Sequence, residues 1–178
     1  EKQASVIEAM TECLAHRGPD SDGYFISLRA LLGHRRLVVV DPAGGAQPMQ
    51  RTIRGRTATI VYNGELYNTD ELRMELKSRG HVFQTRNSDT EALLLAYLEW
   101  GPDCLSRLNG IFALAIWDHR SESLFMARDR LGVKPLFYSR SGDSLLFGSE
   151  LKALLAHPTI NPVLNECGLA ELLVMAPS

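Results

Sequence analysis

The chain has 178 residues, the size of one domain, and its 45% hydrophobic and 22% charged residues are ordinary globular proportions. Its 19 Lys and Arg against 21 Asp and Glu leave a formal net charge of −2, so no global field holds a polyanion and nucleic acid is excluded as a main partner. No apolar run approaches the roughly 20 residues that span a bilayer, which excludes a membrane helix and sets aside disordered, fibrous and coiled-coil classes as well.

In chain order, Ser5-Val6-Ile7-Glu8 has capping-box spacing, and Val6, Met10 and Cys13 repeat with Ile7 and Leu14 along one stripe. A first helix is predicted there, ending near Gly18-Pro19. Tyr24-Phe25-Ile26, Leu31-Leu32 and Leu37-Val38-Val39-Val40 read as strands, and the β-branched character of the last predicts burial on both faces. Residues 42–48 are a loop by composition, and Thr59-Ile60-Val61-Tyr62 predicts a strand that stops at Asn63-Gly64. A helix over 70–79 carries Leu72 and Leu76 and stops at Gly80, and Ser88-Asp89-Thr90-Glu91 is a second capping box opening an apolar helix to Trp100-Gly101. Short strands follow over 111–117, 124–127, 136–138 and 145–147, with hairpin turns at 118–121 and 141–143, then helices over 151–156 and 168–175. There is no internal repeat and no dividing linker, and helices grouped between sets of antiparallel strands predict an α+β domain with sheet packed on sheet.

The common site motifs are missing. The chain has no phosphate-binding G-x-x-x-x-G-K-[ST], no G-x-G-x-x-G and no H-E-x-x-H, and its five histidines lie at no ligand spacing from one another. Cys13, Cys104 and Cys167 are odd in number and far apart, which argues against a disulfide framework or structural zinc and fits a reducing cytoplasm. Ser141-Gly142-Asp143-Ser144 is explained as a hairpin turn.

Four segments hold chemistry-bearing residues: 16–20, 33–37, 62–68 and 87–91. Each also has a bland reading. Asn63-Gly64 is the commonest two-residue hairpin turn, and Asp89 in a first helical turn stabilises the helix dipole without any ligand. Arg35 and Arg36 fit a solvated strand edge, His34 fits a core histidine, and Arg17 with Asp20 fits a salt bridge locking a Gly-Pro turn.

Taken together, the segments resemble one family. His16-Arg17-Gly18-Pro19-Asp20, Gly45-Ala46-Gln47-Pro48-Met49, Asn63-Gly64-Glu65-Leu66-Tyr67-Asn68 and Leu108-Asn109-Gly110-Ile111-Phe112-Ala113 are similar to the N-terminal glutaminase domain of glutamine-dependent asparagine synthetases, class II glutamine amidotransferases. So are Ala127-Arg128-Asp129-Arg130-Leu131-Gly132-Val133-Lys134-Pro135-Leu136 and Ser149-Glu150-Leu151-Lys152-Ala153-Leu154, so the resemblance covers nearly the whole chain. It implies the N-terminal-nucleophile hydrolase fold, a four-layer αββα sandwich of two antiparallel sheets, and hydrolysis of glutamine to glutamate and ammonia for ATP-dependent amidation of aspartate. It further implies that Arg36 and the backbone of Leu37, Val38, Val39 and Val40 hold the glutamine α-carboxylate, and that Glu65 and Asp89 hold its α-ammonium. Asn63 and the Gly64 amide would form the oxyanion hole. The residue types suit these tasks: guanidinium pairs bidentately with carboxylate, and side-chain and backbone amides stabilise a tetrahedral oxyanion.

The family's nucleophile is a cysteine at the mature N-terminus whose α-amino group, with a pKa of about 7.7–8.0, serves as base. None of Cys13, Cys104 and Cys167 is terminal, and all three fall in helix-like stretches as small buried thiols. The expectation is therefore a 1–178 amidotransferase domain that lacks its first strand and nucleophile, is inactive alone, and is separated from its ATP-dependent synthetase domain. No cofactor or metal is expected in this domain, with ATP and Mg belonging to the synthetase. The expected partners are glutamine, that synthetase domain and a possible second copy in a homodimer. The alternative is a degenerate domain kept as a scaffold for an amide-forming synthetase, against which the retained Arg36, Asn63, Gly64, Glu65 and Asp89 speak.

Overall fold

The computed structural model describes residues 2–38, 44–163 and 165–175. Helix α1 (Lys2–Glu12) leads through a 3-10 turn (Ala15–Arg17) into a hairpin of β1 (Ser21–Ile26) and β2 (Leu31–Arg36). The capping box at Ser5 lies inside α1 rather than at its start, and Cys13 falls just beyond the helix end. Strand β3 (Met49–Ile53), which the sequence pattern did not mark, pairs with β4 (Arg56–Leu66) across a two-residue turn in which Arg54 and Gly55 have φ of 50° and 78°. Both central residues of such a turn need positive φ, and Gly55 supplies one at no steric cost.

Two of the predicted strands end elsewhere. The run 37–40 does not extend β2: the Val38 N–H donates to the Asp20 carboxylate at 2.7 Å rather than to a ladder, and Leu37 is 57% exposed. The prediction of burial on both faces fails for Leu37 and Val38, and Val39 and Val40 lie outside the described residues. Strand β4, by contrast, does not stop at Asn63-Gly64. It runs through to Leu66 because β5 (Gly110–Asp118) pairs with it along its length, Asn63 opposite Ala113 and Gly64 opposite Phe112.

Helix α2 (Thr69–Ser78) and helix α3 (Asp89–Trp100) cover one face of the four-stranded sheet β3-β4-β5-β6, where β6 is Ser123–Arg128. Residues 90–98 of α3 are all buried. A helix apolar on every side must sit inside the core, and α3 is enclosed by Leu72 and Leu76 of α2, by Ile60 and Tyr62 of β4, and by Leu114 and Ile116 of β5. A 3-10 stretch (Gly101–Arg107) then carries the buried Cys104.

On the opposite face of the sheet, Val61, Ala115 and Trp117 meet Leu32 and Phe25 of the first hairpin. Phe147, from the hairpin of β7 (Phe137–Ser141) and β8 (Ser144–Gly148), packs into the same cluster. Helix α1 lies over β2, and α4 (Leu151–Leu155) over β7 and β8; α5 (Glu166–Met175) follows. The order of layers is thus helix, sheet, sheet, helix. Among the described residues the second β layer is two separate hairpins, β1–β2 and β7–β8, rather than one continuous sheet.

Candidate functional site

The site is built on an open edge of β4. Strand β3 ends with Met49 opposite Ile60, so residues 61–66 pair with β5 on one side and, among the described residues, with no strand on the other. In an antiparallel ladder the N–H and C=O of alternate residues point the same way. Tyr62, Gly64 and Leu66 therefore present theirs to the open edge. The Tyr62 N–H donates to Gln47 Oε1 at 2.6 Å, and the Leu66 N–H donates to Asp89 Oδ2 at 3.4 Å. Between these two engaged amides stands the N–H of Gly64.

Side chains alternate with the backbone. Asn63 and Glu65 share the face of β4 that carries Val61, the face toward β1 and β2. On β2, Leu32 packs into that same interlayer cluster and His34 Nε2 lies 3.3 Å from the Tyr62 carbonyl. Arg36, two residues further on, is on the same face of its strand. Arg35 is on the other, where it pairs with Glu12. The bland reading of two solvated edge arginines is therefore replaced by one half-buried guanidinium on each side of β2.

Arg36 is held by the turn before β1. Its carbonyl accepts from the Asp20 N–H at 3.1 Å, and Pro19 bridges it in parallel. A Cβ on Gly18 would come within 2.4 Å of the Arg36 nitrogen, so glycine is required for this approach. Asp20 and Arg17 do not pair across the turn: Asp20 accepts from Val38, and Arg17 reaches Glu150 at 3.0 Å beside His16 at 2.9 Å. Burial opposes ionisation of Glu150, but bonds from His16, Arg17 and Lys152 outweigh it and carry its carboxyl down to about 2.

Asp89 opens α3 on the other side of the edge. Its Oδ2 accepts from the Tyr62 hydroxyl at 2.9 Å and its Oδ1 from the Thr90 N–H at 2.7 Å. Burial, and then the Asp89 charge, raise the Tyr62 phenol well above its ordinary value, which keeps it a donor. Ser88 caps the helix by accepting from Glu91 N–H at 3.3 Å. Glu91, however, does not complete the box. Its buried carboxylate accepts from the N–H groups of Gln84 and Thr85 at 2.8 and 2.7 Å and pairs with Arg51 at 2.8 Å. Burial alone would raise this carboxyl; the bonds from Thr85, Gln84 and Arg51 hold it below its usual value. Buried Arg73 adds bonds to the carbonyls of Thr85 and Ser88, so the loop that delivers Asp89 is pinned from two sides.

Burial, aided by the Arg36 charge, lowers His34 to about 4, so its ring is neutral at physiological pH. Of the thiols, only Cys104 is buried, and burial pushes it up to about 12; Cys13 is half-buried and Cys167 exposed, so the expectation of three buried thiols holds for one. None of them stands on β2, β4 or the open edge.

This arrangement coincides with a known family. Residues 1–178 match the glutamine amidotransferase domain family. The chain belongs to that family. It is 54% identical over 177 residues to asparagine synthetase [glutamine-hydrolyzing] 3 of Bacillus subtilis, covering 99% of this chain and 29% of that protein. It is 40% identical over 148 residues to asparagine synthetase B [glutamine-hydrolyzing] of Escherichia coli, covering 82% of this chain and 26% of that protein. The chain thus spans less than a third of these relatives. The solved glutamine phosphoribosylpyrophosphate amidotransferase from B. subtilis, complexed with ADP and GMP, superposes with a TM-score of 0.60 at 28% identity, covering 71% of this chain and 29% of that one. The fold is the N-terminal-nucleophile hydrolase fold.

In this amidotransferase domain Asn63, Gly64 and Glu65 lie on the open-edged part of β4, Asp89 bonds to that part at Tyr62 and Leu66, and Arg36 stands on the same face of β2 as His34, which reaches the Tyr62 carbonyl. The sequence gives no site role to Gln47 and Tyr62, which hold that edge, and marks Glu91 only as a helix cap, whereas it pins the loop before Asp89. Gln47 lies within the family-like segment 45–49, but a Gln-Pro at a loop end carries no local signal for a bond to a strand.

Proposed function

We propose that this domain binds glutamine at the β4 edge and hydrolyses its side-chain amide to glutamate and ammonia. Arg36 takes the α-carboxylate together with the backbone of the Leu37–Val40 segment, apart from the Val38 N–H that Asp20 holds, and Glu65 and Asp89 take the α-ammonium. The Asn63 amide and Gly64 N–H stabilise the tetrahedral oxyanion. The observation that carries this reading is the Gly64 N–H, set between two amides already engaged by Gln47 and Asp89 and next to Asn63, on the stretch of β4 that the Arg36-bearing strand β2 meets through Leu32 and His34. The retained clamp and the similarity to glutamine-hydrolysing relatives disfavour a purely scaffolding domain.

The nucleophile in this proposal is a cysteine outside residues 1–178 that bears a free α-amino group. A buried thiol raised to about 12, such as Cys104, holds negligible thiolate at neutral pH. Ammonia released here then serves a synthetase domain that amidates aspartate using ATP and Mg, while the glutaminase domain needs neither. The protein works in a reducing cytoplasm, where Cys13, Cys104 and Cys167 stay free.

The test compares the natural gene product with the 178-residue chain. The former should release glutamate from glutamine and support glutamine-dependent asparagine formation; the latter should do neither. Amidation by the gene product with ammonia but never with glutamine would establish the scaffold. Glutamine turnover by residues 1–178 alone, at the rate of the whole protein, would overturn the external nucleophile.

A further inference from the structure

The register of β3 on β4 sets Met49 against Ile60, so a continued ladder would place Gln47 opposite Tyr62. The main chain turns away instead. The Gln47 carbonyl lies against β1 at Gly23, where an added Cβ would come 2.1 Å from it. The Gln47 side chain completes the ladder in the backbone's place: Oε1 accepts from the Tyr62 N–H at 2.6 Å, and Nε2 donates to the Tyr62 carbonyl at 3.1 Å. A primary amide has the donor and acceptor of a peptide group, so it can close one rung of a sheet. The same Nε2 lies 3.4 Å from Thr90 Oγ1, on the residue following Asp89. From the β2 side, His34 Nε2 approaches the same carbonyl at 3.3 Å.

We infer that Gln47 is a positioning residue for the oxyanion donors: its side chain ends the ladder one rung before Gly64, fixes the Tyr62–Asn63 peptide plane, and ties the strand edge to the Asp89 turn of α3. The inference rests on the glutaminase reading above. A backbone partner continuing past Gln47 would reach Gly64 and occupy its N–H. A side chain stops after one rung and leaves that N–H for substrate. Holding the Tyr62 carbonyl also sets the plane from which the Asn63 side chain and the Gly64 amide project. Oxyanion donors must sit about 2.7–3.1 Å from the developing charge, so a tilted plane is felt in the chemical step rather than in ground-state binding.

The experiment uses the natural gene product with Gln47→Glu and Gln47→Met, beside Asn63→Ala. Gln47→Glu keeps the shape and the acceptor for Tyr62 N–H but sets a carboxylate oxygen against the Tyr62 carbonyl; Gln47→Met keeps the volume and loses both bonds. Glutaminase kcat, per folded protein by circular dichroism, should fall tenfold or more in Gln47→Glu and further in Gln47→Met. KM for glutamine should stay within threefold, and ammonia-dependent amidation should be unchanged. A merely structural role would lower Tm while leaving kcat per folded molecule intact. Should Gln47→Met not fold, Gln47→Glu alone decides. A kcat within threefold of the parent in the Gln47 variants, with Asn63→Ala impaired, overturns the inference alone. Parental kcat in the Gln47 variants and in Asn63→Ala overturns the oxyanion reading, and this inference with it.

Discussion

Asn63 is where the turn reading and the oxyanion reading diverge, and the structure sharpens the test. Asn63 does not occupy a left-handed turn; it stands within β4, half-buried, with Ala113 opposite it in the ladder. Asn63→Gly would therefore mix two effects, because glycine inside a strand costs about 0.5–1 kcal/mol in backbone entropy whatever the side chain does. Asn63→Ala isolates the amide: the ladder is untouched and only a half-buried polar group is lost. Its stability cost should be about 1 kcal/mol or less, which in a domain this size is a fall in Tm of about 2–4 °C. Removing one preorganised oxyanion donor should lower kcat by about 10²–10³, or about 2.7–4 kcal/mol of transition-state stabilisation. KM should move little, since the ground-state carbonyl uses the donor less than the tetrahedral intermediate does. The assay is glutaminase kcat and KM of the natural gene product, with ammonia-dependent amidation and a thermal melt as controls. A kcat within threefold of the parent would refute the reasoning and leave Gly64 as the only donor assigned.

Gly64→Ala should fail for a steric reason. Its Cβ would lie 2.3 Å from the Ile111 carbonyl oxygen and 2.8 Å from Phe112 Cα, both backbone atoms of β5, so strands must part. Overpacking of this kind costs about 1–3 kcal/mol, and a Tm unchanged from the parent would contradict the register. Arg36→Lys should raise KM for glutamine markedly, because an ammonium lacks the two-pronged geometry; Arg36→Ala should cost about 2–5 kcal/mol, and a KM within twofold would return Arg36 to the surface. His34 sets a pH dependence. The unfolded ring takes a proton near pH 6.5 but the folded one only near 4, so between these values the unfolded state binds more protons and stability falls as pH drops. That contribution reaches at most about 3 kcal/mol, and urea titrations of the parent and His34→Gln at pH 7 and 4.5 measure it as the difference in slope. Equal pH dependence in the two proteins would refute the neutral buried ring.

Length, periodicity and cap chemistry, read from the residues alone, were enough for the α+β class, for helices α2 and α3, for the Ser88 cap and for most of the strands after Gly110. These are local quantities: a 3.6-residue stripe or a Ser three residues before a Glu reports on its own segment. The candidate site was legible through its motifs, because guanidinium, carboxylates and an Asn-Gly pair keep their chemical character wherever the chain takes them. What tertiary structure alone decided was pairing. Asn63-Gly64 has the local signature of a turn, and it became strand interior because residues 110–118, some fifty positions away, pair across it. Leu37 and Val38 have the signature of a buried strand, and they leave the sheet because Asp20 takes the Val38 amide. Gln47 has no signature at all; its role exists only where β3 ends and Tyr62 needs a partner. A hydrogen-bond donor is visible in a sequence, but the edge that leaves it free is a property of which strands stand beside it.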